Sequence, residues 1–180
     1  MPALYLHPAD PLWQFAGRNA MINDLREFGL IGPSTAETEA AEFVAGDRFM
    51  EHVMFLGCSP QLLPDPAQAK DGQQMCRIRL SCYRKVGFLC TTIRPAVRCG
   101  SCRTAAGLSD TDRYDAVYRC INCGKESLVS DLDWRRGAGF GRFFIEIRGV
   151  YPHEAVPADA LLNRLGELSN CRWKYFYFQG

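Results

Sequence analysis

No apolar run in this 180-residue chain approaches the roughly 20 residues that a membrane-crossing helix needs. Its opening residues, MPALYLHPADPLW, have neither the basic stretch nor the long apolar core of an export signal. The two absences together predict a cytoplasmic protein with no membrane segment. Net charge is also nearly lacking, at +1, which excludes a chain that is strongly basic or acidic as a whole. There is no internal repeat and no low-complexity tract, so solenoid and disordered classes are set aside. Hydrophobic residues make up 47% and charged residues 23%, the balance of an ordinary globular protein with a sizeable core. Histidine is scarce, with three, and the sequence offers no convincing acid–base constellation.

Cysteine, by contrast, is abundant. The count is nine, and an odd number without an export signal argues against a disulfide framework. Four of the nine fall in two close pairs, VRCGSCRT and YRCINCGKE, with the spacing C-x2-C-x17-C-x2-C: Cys99, Cys102, Cys120 and Cys123. Two residues between cysteines let both thiolates reach one ion from a single tight turn. Two such turns supply a tetrahedral sulfur set for Zn2+. Gly124 follows the second pair and suits the positive φ such a turn often needs. Arg98, Arg103, Arg119 and Lys125 flank the site and would offset the charge of four thiolates. Over roughly residues 97–128 the segment resembles a zinc ribbon, in which two cysteine knuckles clamp one zinc at the end of a small β-sheet. That resemblance implies one structural Zn2+ with all four positions filled, and so no water activated at the metal. A rubredoxin-type iron site and a redox dithiol are the rivals. The first pair lacks a glycine after its second cysteine, and neither pair clearly opens a helix after a strand.

The pattern along the chain predicts an α+β fold. DPLWQFAGRNAMINDLREFG reads as a helix capped by Asp10, with Pro11 at its first position and Gly29 at its stop. GPSTAETEAAEFVAG reads as a second helix, with Ser34 and Glu37 at capping-box spacing. HVMFLG reads as a strand, and QLLPDPAQAKDGQQ as a loop. CRIRLSCY alternates, with Cys76, Ile78, Leu80 and Cys82 on one face, and VGFLCTT is expected to pair back with it across Arg84 and Lys85. RFFIEIRGV is another strand. A helix after Pro157 carries Leu161, Leu162, Leu165 and Leu168, and CRWKYFYF closes the chain as a strand. The expected architecture is one domain over 1–180. It comprises a small mixed or antiparallel sheet, N-terminal helices, one C-terminal helix, and a four-cysteine lobe inserted at 94–130.

Charge is unevenly placed. Residues 1–76 carry a net −6, residues 77–148 a net +7, and the remainder balances. Within the basic part, DWRRGAGFGRFF sets Trp134, Arg135, Arg136 and Arg142 among glycines, a candidate surface for a partner. The alternative for this stretch is a hinge that returns the chain to the sheet, with Trp134 against the core. The leading functional expectation is a non-enzymatic accessory or adaptor protein whose zinc lobe docks on a protein partner in assembly, maturation or regulation. Nucleic-acid binding by the basic 77–148 segment is the second. The third is a thiol-dependent enzyme at Cys58, with His52 or His153 as base. Cys76, Cys82, Cys90 and Cys171 read as inert thiols, and His7 as part of a tail.

Overall fold

A computed structural model describes residues 1–14, 17–35, 41–57, 76–92, 96–108 and 113–180. The architecture is mostly antiparallel sheet, 41% strand against 18% helix, and this overturns the expected α+β arrangement with N-terminal helices. Ten strands are described: β1 (Ala3–Pro8), β2 (Ile31–Ser34), β3 (Ala41–Ala45), β4 (Val53–Phe55), β5 (Arg77–Cys90), β6 (Val117–Arg119), β7 (Glu126–Leu128), β8 (Ala138–Arg148), β9 (Ala155–Pro157) and β10 (Trp173–Phe178). The described helices are α1 (Arg18–Glu27), the single turn α2 (Phe49–His52) and α3 (Asp159–Ser169). Six strands form the main sheet in the order β10-β1-β8-β5-β3-β2, every neighbour antiparallel, while β4–β9 and β6–β7 form two small ribbons.

Each departure from the expectation has a local cause. The tail that holds His7 is instead β1, the second strand from one edge of the main sheet. Leu4 and Leu6 alternate with Tyr5 and His7, and all four are buried. Asp10 does not cap a helix. Its carboxylate accepts from the Leu12 N–H at 2.9 Å in a turn, and α1 starts only after Gly17, with no side-chain cap. The second expected helix is replaced by β2 and β3, whose pairing with each other and with β5 buries the strand formers Phe43 and Val44. Residues 36–40, with Glu37 of the supposed capping box, lie outside the described residues, as do the expected loop at 61–74 and Cys58. CRIRLSCY and VGFLCTT do not turn back on each other. They run as one 14-residue strand, β5, along β8, with the register shifting between Cys82 and Gly87.

The two faces of the sheet have separate cores. On one face Leu4, Leu6, Ile78, Leu80, Ile145 and Ile147 meet Met21 and Leu25 of α1 and Leu161 and Leu165 of α3. Each such side chain contributes about 1.5–3 kcal/mol by leaving water. On the other face Tyr5 stacks on Phe176 with centroids 5.1 Å apart, and Phe144 stands edge-on to both. Beyond these rings the same face carries ions: Arg148 bonds Glu146 at 2.9 Å and Glu42 at 3.3 Å.

The far halves of β5 and β8 curl over the aromatic face. Leu89 of β5 packs there, and the Thr92 N–H donates to the Gln179 carbonyl at 3.1 Å, tying the end of β5 to the end of β10. Gly139 permits the approach. A Cβ at this position would lie 2.5 Å from Phe176 Cε1 and 2.8 Å from His7 Nε2, and both of those side chains are buried. This curl sets the cysteine lobe beside the ends of β1 and β10. Gly139→Ala is expected to destabilise the protein by about 1–3 kcal/mol through overpacking, read as a lower denaturation midpoint.

His7, 5% exposed, lies among Phe144 and Phe176, and its Nδ1 is 2.9 Å from the Pro8 carbonyl. Burial pushes its imidazole from 6.5 down to about 4, and the charge of Lys174 acts in the same direction. The unfolded chain therefore binds this proton more readily than the folded one between those values. Stability contributed by the neutral ring is fully present above about pH 6.5 and is lost as pH falls towards 4, a loss of roughly 3 kcal/mol. In denaturant titrations across that window, His7→Gln should show a shallower pH slope than the native chain.

Candidate metal centre

The two cysteine pairs form two turns of the same design. In the first, the Cys99 N–H donates to the Thr104 carbonyl at 2.9 Å and the Arg103 N–H to the Cys99 carbonyl at 3.0 Å. In the second, the Cys120 N–H donates to the Lys125 carbonyl at 2.9 Å and the Gly124 N–H to the Cys120 carbonyl at 2.9 Å. The residue after the second cysteine has a positive φ in both turns, 69° at Gly124 and 60° at Arg103. The sequence shows this requirement only at Gly124. In the first turn an arginine takes the left-handed conformation, so the missing glycine there does not distinguish the two turns.

The four sulfurs lie within 4.8 Å of one another and could hold a metal ion. Cys99 Sγ is 3.8 Å from Cys123 Sγ, and Cys102 Sγ is 3.5 Å from Cys120 Sγ. A tetrahedral ion with metal–sulfur bonds near 2.3 Å requires sulfur separations of about 3.8 Å, so the donor set fits. Each of these contacts joins one turn to the other, as a shared ion demands. Cys99 and Cys120 are buried, Cys102 is half-buried and Cys123 faces solvent.

Hydrogen bonds favour deprotonation of two of the thiols, Cys102 and Cys99. The Thr104 hydroxyl, 3.3 Å from the sulfur, and the Thr104 amide hold Cys102 down to about 5. The backbone at Cys102 and Ser101 lowers Cys99 as well. At Cys123 the Lys125 amide pulls the thiol down, but contacts with Cys102, Cys120 and Cys99 outweigh it and push the thiol up to about 11. Thiolates this close repel one another, and a dication at their centre removes that opposition.

The turns are anchored by a small core rather than by a free-standing lobe. Val97, Val129 and Leu132 of the cysteine segment pack with Trp134, Ala138 and Phe140, and Phe88 of β5 lies against them. Trp134 is 5% exposed. Its Nε1–H donates to the Val129 carbonyl at 2.9 Å, and its ring meets Phe88 and Phe140 at 5.3 and 5.4 Å. It therefore offers no face to a partner. Arg135 and Arg136 are exposed on the turn that follows it, whereas Arg142 sits at the β5 irregularity, its Nε 3.4 Å from the Tyr83 carbonyl. Arg135 and Arg136 line one hollow of the surface, and Arg142 lines another with Cys82 and Tyr83.

The remaining candidates are placed as follows. Cys76 is buried, which pushes its thiol up to about 12, an inert group. Cys82 is exposed at the start of the β5 irregularity, not buried with Ile78 and Leu80 as its phase predicts. Cys90 and Cys171 are half-buried. His52 is buried, stacked on Phe28 at 3.9 Å, with Nε2 2.8 Å from the Phe28 carbonyl. The Glu154 carboxylate accepts from the Tyr151 N–H, and His153 lies against Tyr177. Among the described residues no helix is long and apolar enough to cross a membrane.

No protein-family model matches this chain, and no curated protein or solved structure matches it either.

Because the two cysteine turns and Trp134 share one core, disturbing the cluster should be visible at the tryptophan. Cys120→Ser, or chelation of the native chain, is expected to shift Trp134 emission to longer wavelength and to speed proteolysis between β5 and β8. The far-ultraviolet signal of the main sheet should persist.

Proposed function

We propose that the four cysteines hold one Zn2+ in the manner of a zinc ribbon, and that the chain is a non-enzymatic cytoplasmic adaptor that docks on a protein partner through this lobe. The observation that carries the reading is a set of exposed apolar side chains on the second cysteine turn and the ribbon that bears it. Ile121, at the tip of the second turn, is 90% exposed, and the cross-strand pair Val117 and Leu128 is 66% and 42% exposed. Exposed Arg119 and Lys125 stand beside it. Apolar side chains held on a rigid turn and rimmed by cations suit a partner that offers a hydrophobic groove with an acidic border.

Several features favour zinc in this reading. The sulfurs of the two turns lie together, each close contact joining one turn to the other, which argues against two separate redox dithiols. A filled tetrahedron has no position for a reacting molecule, so the ion stabilises the lobe and shapes its surface. Nucleic-acid binding by residues 77–148 has less support, because part of that positive charge is consumed internally. Arg148 pairs with Glu42, which comes from outside that segment. Cys58, the basis of the enzymatic reading, lies outside the described residues.

Crosslinking in cells followed by mass spectrometry tests the docking reading. The native chain should join a protein through residues near 117–128, and Ile121→Asp should abolish that crosslink while zinc content and melting midpoint stay unchanged. A crosslink that survives the substitution, or one that maps only to nucleic acid, contradicts it.

A further inference from the structure

A cavity of about 370 Å3 opens where the cysteine lobe meets the ends of β1 and β10. One wall is the 130–136 segment that leaves the lobe, and the other comes from residues 172–175 and the end of β1. Four cations line it, Arg135 and Arg136 on the lobe side and Arg172 and Lys174 on the sheet side, against two carboxylates, Asp131 and Asp133. His7 also lines it but is neutral near pH 7, so the cavity carries two positive charges in excess.

The carboxylates are partly engaged. Asp133 accepts from the Arg135 N–H at 2.9 Å, and Asp131 is 3.7 Å from Lys174 Nζ. The Arg136 guanidinium lies over the Tyr175 ring, 4.5 Å from its centroid, which fixes it in the cavity wall. Ser130, 8% exposed and also in the lining, has a hydroxyl with no hydrogen-bond partner among the described residues.

The backbone of the arginine turn adds an independent observation. Arg135 and Arg136 have φ of 51° and 57°, and the Gly137 N–H donates to the Trp134 carbonyl at 3.0 Å. Two consecutive left-handed residues in such a turn call for Asn-Gly or Gly-Gly, since a Cβ is disfavoured at both positions. Here two arginines occupy them, held by the Tyr177 N–H, which donates to the Arg136 carbonyl at 2.9 Å. Non-glycine residues kept in this region by their surroundings cluster where side chains serve a ligand.

We propose that this cavity binds a small phosphate-bearing dianion, a phosphomonoester, between Arg135 and Arg136 on one wall and Arg172 and Lys174 on the other. Donors on two walls suit the tetrahedral oxygens of a phosphoryl group better than a planar carboxylate. A cavity of this volume also admits a small organic portion beside the phosphate. The proposal does not depend on whether the lobe docks on a protein.

Calorimetry on the full chain with its metal, at fixed ionic strength, tests it with ribose 5-phosphate, inorganic phosphate and succinate as probes. Ribose 5-phosphate should bind, with succinate about tenfold weaker or absent. Inorganic phosphate that binds as well as the ester would support a site for the phosphoryl group itself; weaker binding would support recognition of the organic portion too. Arg135→Gly relaxes the turn and removes one cation. It should raise the melting midpoint yet weaken ester binding about tenfold, a combination that a purely structural arginine would not produce. Lys174→Met should also weaken binding. The idea is overturned if neither phosphate probe binds at millimolar concentration, if succinate binds equally well, or if Arg135→Gly keeps native affinity. Metal content measured on the same samples separates this result from any failure of the zinc reading.

Discussion

Four sulfur atoms from two separate turns have to meet, and the organisation of the lobe follows from that requirement. Neither turn can gather the set alone, because each supplies only two donors. Among the described residues of the lobe, regular structure is limited to the β6–β7 ribbon, one 3-10 turn at Val129–Asp131 and the bridges of Arg98 to Ala105 and Asp133. A segment with so little regular structure gains from a cross-link, and the four clustered sulfurs could hold an ion that supplies one. The small core of Val97, Val129, Leu132 and Trp134 then transmits that constraint to Phe88 and Phe140 on the long ribbon. The lobe and the sheet are thus coupled through these aromatic contacts, with the Asp131–Lys174 pair and the Tyr177–Arg136 hydrogen bond joining the following segment to β10.

The sheet meets the lobe halfway. β5 and β8 outrun their neighbours, and the irregularity after Cys82 lets their far ends curl over the aromatic face. Gly139 is where the curl presses hardest, with Phe176 and His7 immediately beneath it. The turn that follows Trp134 is consequently pinned to the edge strand β10, and the space left between turn and sheet is the cationic cavity. Metal centre, curled ribbon and cavity form one mechanical chain, although each has its own chemistry.

Much of the metal site could be read from spacing alone, because C-x2-C turns are local and their ligands are fixed within six residues. The positive φ at Arg103 could not, since an arginine gives no hint that its backbone is left-handed. The alternation of residues 76–83 and 142–150 was legible for the same local reason, as was α3 from its leucine spacing, but not that the strands run on to Cys90 and start already at Ala138. Their pairing was not. Whether β5 turns back at Arg84 or runs on depends on β8, some sixty residues away. β1 was missed because its pattern is short and flanked by prolines, and its burial comes from β8 and β10, both from the far end of the chain. The supposed second helix shows the opposite error, in which a capping-box spacing suggested local structure that sheet pairing overrode. The cavity left no mark in the sequence, since residues 7, 130–136 and 172–175 meet only in the fold.

The central claim is that Cys99, Cys102, Cys120 and Cys123 share a single ion. Native mass spectrometry combined with alkylation of accessible thiols measures this directly. The account predicts one zinc per chain, with these four thiols protected until a chelator removes the metal and then modified together. A metal-free chain whose four thiols react at once and independently would contradict it.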